Sequence, residues 1–437
     1  MSFLMKRPTL AQSTIAATQN QIPTFQAAKP ITFAYGRIPF QGANWISDSF
    51  NWLTAPPPGK VGSPFEYCSI AGAFCQGPVD FVGRVMLNGV EIVNLDHIRT
   101  SGDGDYIEYT FNGSMALGQP WYMRLYFGTE TQTADAYLIS GTGQQHPAYR
   151  GICWAVFHNI DLGQGNTYIP DIQIELGRKG IAVGTYAAAF EHPYGINPFI
   201  GIYGLLTDDM GGLDVDSSLL DPTFWAAQAT ALEATGIGAR TGILTFLHPV
   251  VSEFKDAASV LSEWLAYVDG YLYCRNGQLR CGWFPHQQIS ASGLTQISEQ
   301  DLSEKPSGGG FTDWNGGLSD AVVTFLDVNQ EYTQQAATCR APANRETQVA
   351  LSPQQIDRPL CHFGQQAALI ASETANSFTQ DDNGTTLKIF RSRAVNPDGS
   401  PLMPGDLFNW VYDPQEIDIV VRVIERDEEN GSAGSVS

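Results

Sequence analysis

The chain has 437 residues, 43% of them hydrophobic and 11% aromatic, the composition of a folded protein with room for about three domains. Its 24 lysines and arginines against 45 aspartates and glutamates leave a net charge of -21, which excludes gripping nucleic acid as its main task, because that needs cations to displace counterions from phosphate. No run approaches the roughly 20 apolar residues of a membrane helix, and the first 21 residues lack a signal-peptide core, so a soluble protein made without export is expected.

Residues 1–27, rich in Gln, Thr, Ala and Ser with little periodicity, read as an extended arm. Residues 28–190 have strand-and-turn texture, beginning at "KPITFAYGRIPFQGANWI". "FVGRVMLNGVEIVNL" is a hairpin with Asn88-Gly89 at its turn. "GICWAVF" suits a buried strand. "GQGN" supplies a turn, and "IPDIQIEL" alternates so that Ile172, Ile174 and Leu176 share one face.

Residues 191–305 change character to helices and a hairpin. "NPFIGIYGLLTDDMGG" reads as a helix, and so does "DPTFWAAQATALEATG", which opens at Asp221-Pro222 and closes at Gly236. "SEFKDAASVLSEWLAYVDG" carries Phe254, Ala257, Ala258, Leu261, Trp264, Leu265 and Val268 at helical spacing, with Gly270 ending it. "YLYCRNGQLRCGWF" follows as a hairpin around Asn276-Gly277, pairing Arg275 with Gln278, Cys274 with Leu279, and Leu272 with Cys281. Leu272, Cys274, Leu279, Cys281 and Trp283 then form one apolar face. The two cysteines sit diagonally, which disfavours a disulfide. The seven cysteines as a set, odd in number and far apart, fit reduced thiols.

Residues 306–437 return to strands. "SEKPSGGGFTDWNGG" is a linker, "AVVTFLDV" a strand, and "GQQAALIASETANSF" a helix with Phe363, Ala367, Ile370, Thr374 and Phe378 along one side. "TTLKIFRSR" and "IDIVVRVIERDEE" are strands and "ENGSAGSVS" a tail. The expected class is therefore α+β, β-rich and multidomain.

The strongest candidate for chemistry is "HPAYRGICWAVFHN", which gathers His146, Arg150, Cys153 and His158. A structural zinc site uses paired knuckles, and the chain has no CxxC. Cys153 and His158 lie five apart on a strand and so face opposite ways, which points to a core cysteine with surface histidines. Asp208, Asp209, Asp214, Asp216, Asp381 and Asp382 do not fit the twelve-residue calcium loop, and turns and caps use Asp for backbone reasons. HExxH, GxSxG and the Walker glycine loop are missing, and "GTGQQH" fails the dinucleotide pattern at its third glycine. The tripeptides beginning at Asn112, Asn383 and Asn430 read as turns. No catalytic, cofactor-binding or metal residue is assigned.

Taken together and in order, several blocks resemble the hub proteins at the tail tip of long-tailed phages and of gene transfer agents. They are "ITFAYGRIPFQGANWI", "FCQGPVDFVGRVMLNGVEI", "FGTETQTADAYLI", "HPAYRGICWAVFHNIDLGQGNTYIPDIQIEL", "NPFIGIYGLLT" and "LMPGDLFNWV". "TETQ" and "PAYRG" are the most specific, and Pro147 through Gly151 with Ile169-Pro170 mark the block that carries most of the likeness. The resemblance implies tube-like β-barrel hub domains, including a C-terminal barrel, in a homotrimer of pseudo-sixfold symmetry at the tip of a virion tail. Such a hub follows the distal tail protein ring, closes the tube below the tape-measure protein, and opens for DNA to pass without specific binding. Tail fibre or other tip proteins are implied neighbours, as is contact with the host cell surface. The chain ends soon after the barrel region, so receptor-binding modules are expected to be absent or on other chains. Under this resemblance the acidity acquires a use, repelling phosphate from a channel wall. The rival readings are a receptor-binding adhesin of the tail tip, a cell-wall-degrading enzyme, and a stand-alone acidic α+β protein whose charge serves solubility.

Overall fold

The computed structural model describes residues 31–55, 65–111, 120–164, 168–186, 195–209, 212–235, 250–251, 255–283, 291–308, 318–341, 353–377, 385–403, 405–412, 414, 417–423, 426–428 and 433–436. The expected arm at 1–27, the "GGFTDWNGG" part of the linker, Gly236, Phe254, Phe378, Asp381, Asp382, Asn112, Asn383 and Asn430 lie outside the described residues.

Among the described residues, the regular elements of the first part of the chain are strands and one short helix. Its strands are β1 (Phe33–Ala34), β2 (Gly36–Gly42), β3 (Asn44–Trp45), β4 (Phe50–Ala55), β5 (Phe65–Gln76), β6 (Phe81–Leu87), β7 (Val90–Ile98), β8 (Tyr106–Phe111), β9 (Trp121–Tyr126), β10 (Ile152–Gln164) and β11 (Ile172–Arg178), with α1 (Ala136–Thr142) before β10. One sheet runs β3-β5-β10-β9-β8, with β4 also on β5, and a second runs β2-β11-β6-β7. Both contribute to one core, with Ile70, Phe74, Leu125 and Phe157 from the first and Ile38, Val82, Ile174 and Leu176 from the second. The expected hairpin at Asn88-Gly89 forms, both residues taking the positive φ that a two-residue turn needs. β10 is the apolar run "GICWAVF" placed between β5 and β9. Cys153, Ala155 and Phe157 face the shared core, whereas Trp154 and Val156 face a satellite core beneath α1.

The middle part carries α2 (Pro198–Thr207), α3 (Pro222–Thr235), β12 (Val250–Val251), α4 (Ala257–Leu265) and the hairpin β13 (Gly270–Arg275) with β14 (Gln278–Trp283). α2 begins where Asn197 accepts a hydrogen bond from the Phe199 amide and Pro198 takes the first turn. Asp221 does the same for α3 through the Phe224 amide at 3.1 Å. α4 starts at its cap Asp256, and its inward face is Val260, Trp264 and Leu265, continued by Tyr267 and Val268 after the helix ends. Ala258, expected on that face, is exposed, because the buried stripe runs through Val260 and Trp264, four apart, and Ala258 lies to one side of it. The β13–β14 register is the expected one, but Cys274 is exposed close to the turn while Cys281 is fully buried.

The last part holds β15 (Thr295–Ser298), β16 (Ser307–Gly308), β17 (Asp320–Asp327), β18 (Thr333–Arg340), β19 (Pro353–Asp357), α5 (Gly364–Ser377), β20 (Thr385–Phe390), β21 (Leu407–Tyr412), β22 (Ile417–Arg422), β23 (Arg426–Glu428) and β24 (Ala433–Val436). β17 alternates, burying Ala321, Val323 and Phe325 against Ala367, Ile370 and Ala371 of α5, and this layer shares its core with α2, α3 and α4. β15, β20 and β21 enclose a separate core around Ile297, Leu387, Ile389, Phe408 and Trp410. The fold is thus α+β, β-rich and multidomain. Among the described residues no sheet closes into a barrel, so the barrels expected above are open sheets. β15-β21-β22, β16-β20-β24-β23 and β18-β17-β19 all end in free edges, and closure would require the first and last strand to pair.

Candidate functional site

The cluster His146, Arg150, Cys153 and His158 does not converge. Cys153 sits directly across from Cys75 in the β5–β10 ladder, both fully buried, and burial holds the Cys153 thiol well above its ordinary pKa. A protonated thiol in the core is inert. His146 is half-buried, its Nε2 3.1 Å from Thr142 Oγ1 and its Nδ1 3.1 Å from the Tyr149 hydroxyl. Arg150 directs its Nε at the Gln132 carbonyl, 3.3 Å away.

His158 does face away from Cys153, but it is only 1% exposed rather than a surface histidine. The reason is α1, which lays Tyr137 over the outer face of the sheet. The imidazole is sandwiched between Tyr137 at 3.8 Å and Tyr122 at 3.9 Å, centroid to centroid. Neither ring nitrogen has a hydrogen-bond partner among the described residues. Burial, reinforced by the nearby Arg124 guanidinium, lowers its pKa to about 4. A neutral ring stacked between two tyrosines is packing, with no neighbour to take or give a proton.

The two blocks singled out by resemblance, "TETQ" and "PAYRG", are brought together by Gln132. This side chain is fully buried. Its Oε1 accepts the Gly128 amide at 3.0 Å, and its Nε2 donates to the Ala148 carbonyl at 2.8 Å and to that of Tyr149. Close by, the Gly77 amide donates to the Gly151 carbonyl at 2.8 Å, and a Cβ on Gly128 would lie 2.7 Å from the Gly77 Cα. Gly128 also has φ of +86°, so the position excludes other residues twice over. The sequence pattern is therefore a three-way loop junction at one end of the sheet.

Two ionic clusters, neither anticipated from the sequence, join the parts of the molecule. In the first, Glu175 of β11 is fully buried and receives Arg37 Nε of β2 at 2.5 Å, Arg84 Nε of β6 at 2.9 Å and the Tyr332 hydroxyl at 2.8 Å. Burial alone would raise the pKa of this carboxyl, but the hydrogen bonds from Arg84 and Arg37 outweigh it and hold it at about 2. In the second, Asp208, the residue that ends α2, receives Arg178 at 3.1 Å and the Gln76 amide nitrogen at 3.1 Å. Arg178 lies over the ring of Tyr35 at 4.7 Å, and burial raises the Tyr35 phenol to about 12. Asp216 caps the turn at Ser218, so the acidic run serves an ion pair and a cap instead of a calcium loop. Among the described residues no group of three His, Cys, Asp or Glu side chains is placed to hold a metal.

No family profile matches the sequence, and no curated protein does either. Solved structures do match. A chain of the virion of a native gene transfer agent particle aligns over 94% of this chain and 84% of its own length, with 16% identity and a TM-score of 0.58. A tail protein from Neisseria meningitidis MC58 aligns over 82% of this chain and 95% of its own, at 10% identity and a TM-score of 0.35. A 43 kDa tail protein of prophage MuSo2 from Shewanella oneidensis covers 81% of this chain and 97% of its own, at 11% identity and a TM-score of 0.33. At these identities the likeness is one of fold, and it is carried by the first of the three.

Proposed function

We propose that this chain is a structural hub of a phage-type tail tip. It is a homotrimer that follows the distal tail protein ring, closes the tube below the tape-measure protein and lets that protein and DNA pass on opening. The observation that carries this reading is the fold shared with a virion chain across 94% of this chain and 84% of that one. The buried ionic junctions fit such a role, since they fix the relative placement of layers rather than present a reacting group. Tail fibre or other tip proteins are its further neighbours, and its location is the virion tail tip. A trimer carries three times the -21 of one chain, and the acidic side chains facing the bore keep phosphate from adhering.

Cryo-microscopy of the assembled particle tests the reading. Three copies beneath the distal ring, around an acidic bore, are expected. Absence of the chain from the tip overturns the proposal, and a basic bore overturns its electrostatic part. On the same reading the purified chain releases no fragments from peptidoglycan. Release would make it a wall-degrading enzyme.

A further inference from the structure

The turn between β17 and β18 places two consecutive non-glycine residues, Glu331 and Tyr332, in the left-handed region, at φ of 54° and 59°. Each such residue is disfavoured, and a pair persists only where its surroundings hold it. Within the turn the Tyr332 amide donates to the Asp327 carbonyl at 2.8 Å, and from outside it the pair is held by the Tyr332 side chain. Its hydroxyl donates to the buried Glu175 carboxylate at 2.8 Å, and its ring meets Phe40 edge-on at 5.7 Å and His362 at 5.2 Å. The Arg84 guanidinium lies 4.8 Å from the Phe40 ring and 5.9 Å from that of Tyr332. The turn thus reaches out of the layer formed by β17, β18, β19 and α5 and into the sheet β2-β11-β6-β7. Asn329, Gln330, Glu331 and Thr333 around it are exposed, open to a partner or a pull.

We infer that Tyr332 is a spring-loaded latch between these two layers, with backbone strain in the turn balanced against docking of its side chain beside Glu175. When Tyr332 leaves the site and its amide leaves the Asp327 carbonyl, Glu331 and Tyr332 relax to ordinary backbone angles, so the released state opens the turn without unfolding either layer. A device of this kind has two positions and little between them, because the strain is relieved only once the ring is out. The inference is independent of what the chain assembles with.

Hydrogen exchange followed by mass spectrometry on the full chain tests it with two variants. Tyr332→Ala removes the docking contacts. It is expected to raise exchange about tenfold or more in residues 326–336 and in β6 and β11, leaving the central strands β5 and β10 at the wild-type rate. Glu331→Gly removes strain without touching the contacts and is expected to slow or leave unchanged the exchange of the same segments. Tyr332→Ala at wild-type rates overturns the latch, and so does a rise extending through β5 and β10, which would mark general destabilisation. Faster exchange in Glu331→Gly overturns the stored strain.

Discussion

Replacing Gln132 removes the group that ties "TETQ" to "PAYRG". Gln132→Ala leaves the Gly128 amide and the carbonyls of Ala148 and Tyr149 without that partner in a site closed to water. The Tyr149 carbonyl keeps the Ile152 amide at 3.1 Å, so at roughly 1 to 3 kcal/mol for each of the two stranded groups the loss is about 3 to 5 kcal/mol. Gln132→Glu keeps the size and the acceptor for Gly128 but turns a second acceptor towards two carbonyls. That carboxyl stays protonated in the fold, where it still donates, so its folded pKa is raised above the roughly 4.3 of the unfolded chain. The sign follows. Below the unfolded pKa the variant loses little, and as pH rises towards 8 it loses stability progressively. The assay is native-state hydrogen exchange of β5 and β10, which flank the junction and report local opening without assuming that the whole chain unfolds in one step. Protection in Gln132→Ala should fall by roughly a hundredfold or more at neutral pH. The deficit of Gln132→Glu should be small at pH 4 and large at pH 8. Protection within a few-fold of wild type in Gln132→Ala, or a pH-independent deficit in Gln132→Glu, would refute the reasoning.

Gly128→Ala places a Cβ 2.7 Å from the Gly77 Cα and 2.9 Å from the Ile152 carbonyl carbon at a φ of +86°, and backbone on both sides cannot yield. Soluble folded protein, scored by near-ultraviolet circular dichroism, should be lost. Glu175, held at about 2 in the fold against an ordinary 4.5, contributes up to about 3 kcal/mol that is present above pH 4.5 and lost as pH falls through 2. Glu175→Gln should flatten that acid limb in urea titrations and cost about 3 kcal/mol at pH 7, where Arg37 and Arg84 are left without their counter-charge. His158 acts in the same direction, over a higher range of pH. With a folded pKa of about 4 against 6.5, it costs nothing at pH 7 and removes up to about 3 kcal/mol as pH falls from 6.5 to 4. His158→Phe keeps the stack between Tyr122 and Tyr137 and should abolish this slope in thermal melts across that range.

Local patterns in the sequence reported the fold well where a strand or helix satisfies its own hydrogen bonds. The hairpins at Asn88-Gly89 and Asn276-Gly277, the alternation of Ile172, Ile174 and Leu176, and the Pro-started helices at Pro198 and Pro222 were legible for that reason. What separated parts of the chain do to one another was not legible. Glu175 sits at a position that alternation marks as outward, yet it is buried because Arg37, Arg84 and Tyr332 close over it from distant segments. His158 was likewise placed on the outer face correctly, but no pattern announces that Tyr137 of α1 will cover it. Gln132 was legible only through the resemblance, because a buried amide satisfied by backbone carbonyls leaves no periodic trace.

The first described strand has a consequence for how the chain comes to be folded. Along "FAYGRI", Phe33 and Tyr35 belong to the core of the helices and the β17 layer, whereas Ala34 and Ile38 belong to the core of the two sheets. Synthesis supplies the second set of partners by Leu176, but the first set continues to Ala375. At ribosomal rates of roughly 5 to 20 residues per second, the gap of about 340 residues between Tyr35 and Ala375 lasts some 17 to 70 s. For the last part of it, the roughly 200 residues from Leu176 to Ala375 or some 10 to 40 s, one side of the segment sits in a finished core while two aromatic rings on its other side still lack part of theirs. A segment made early is thus completed late, and until then it needs protection from other nascent chains.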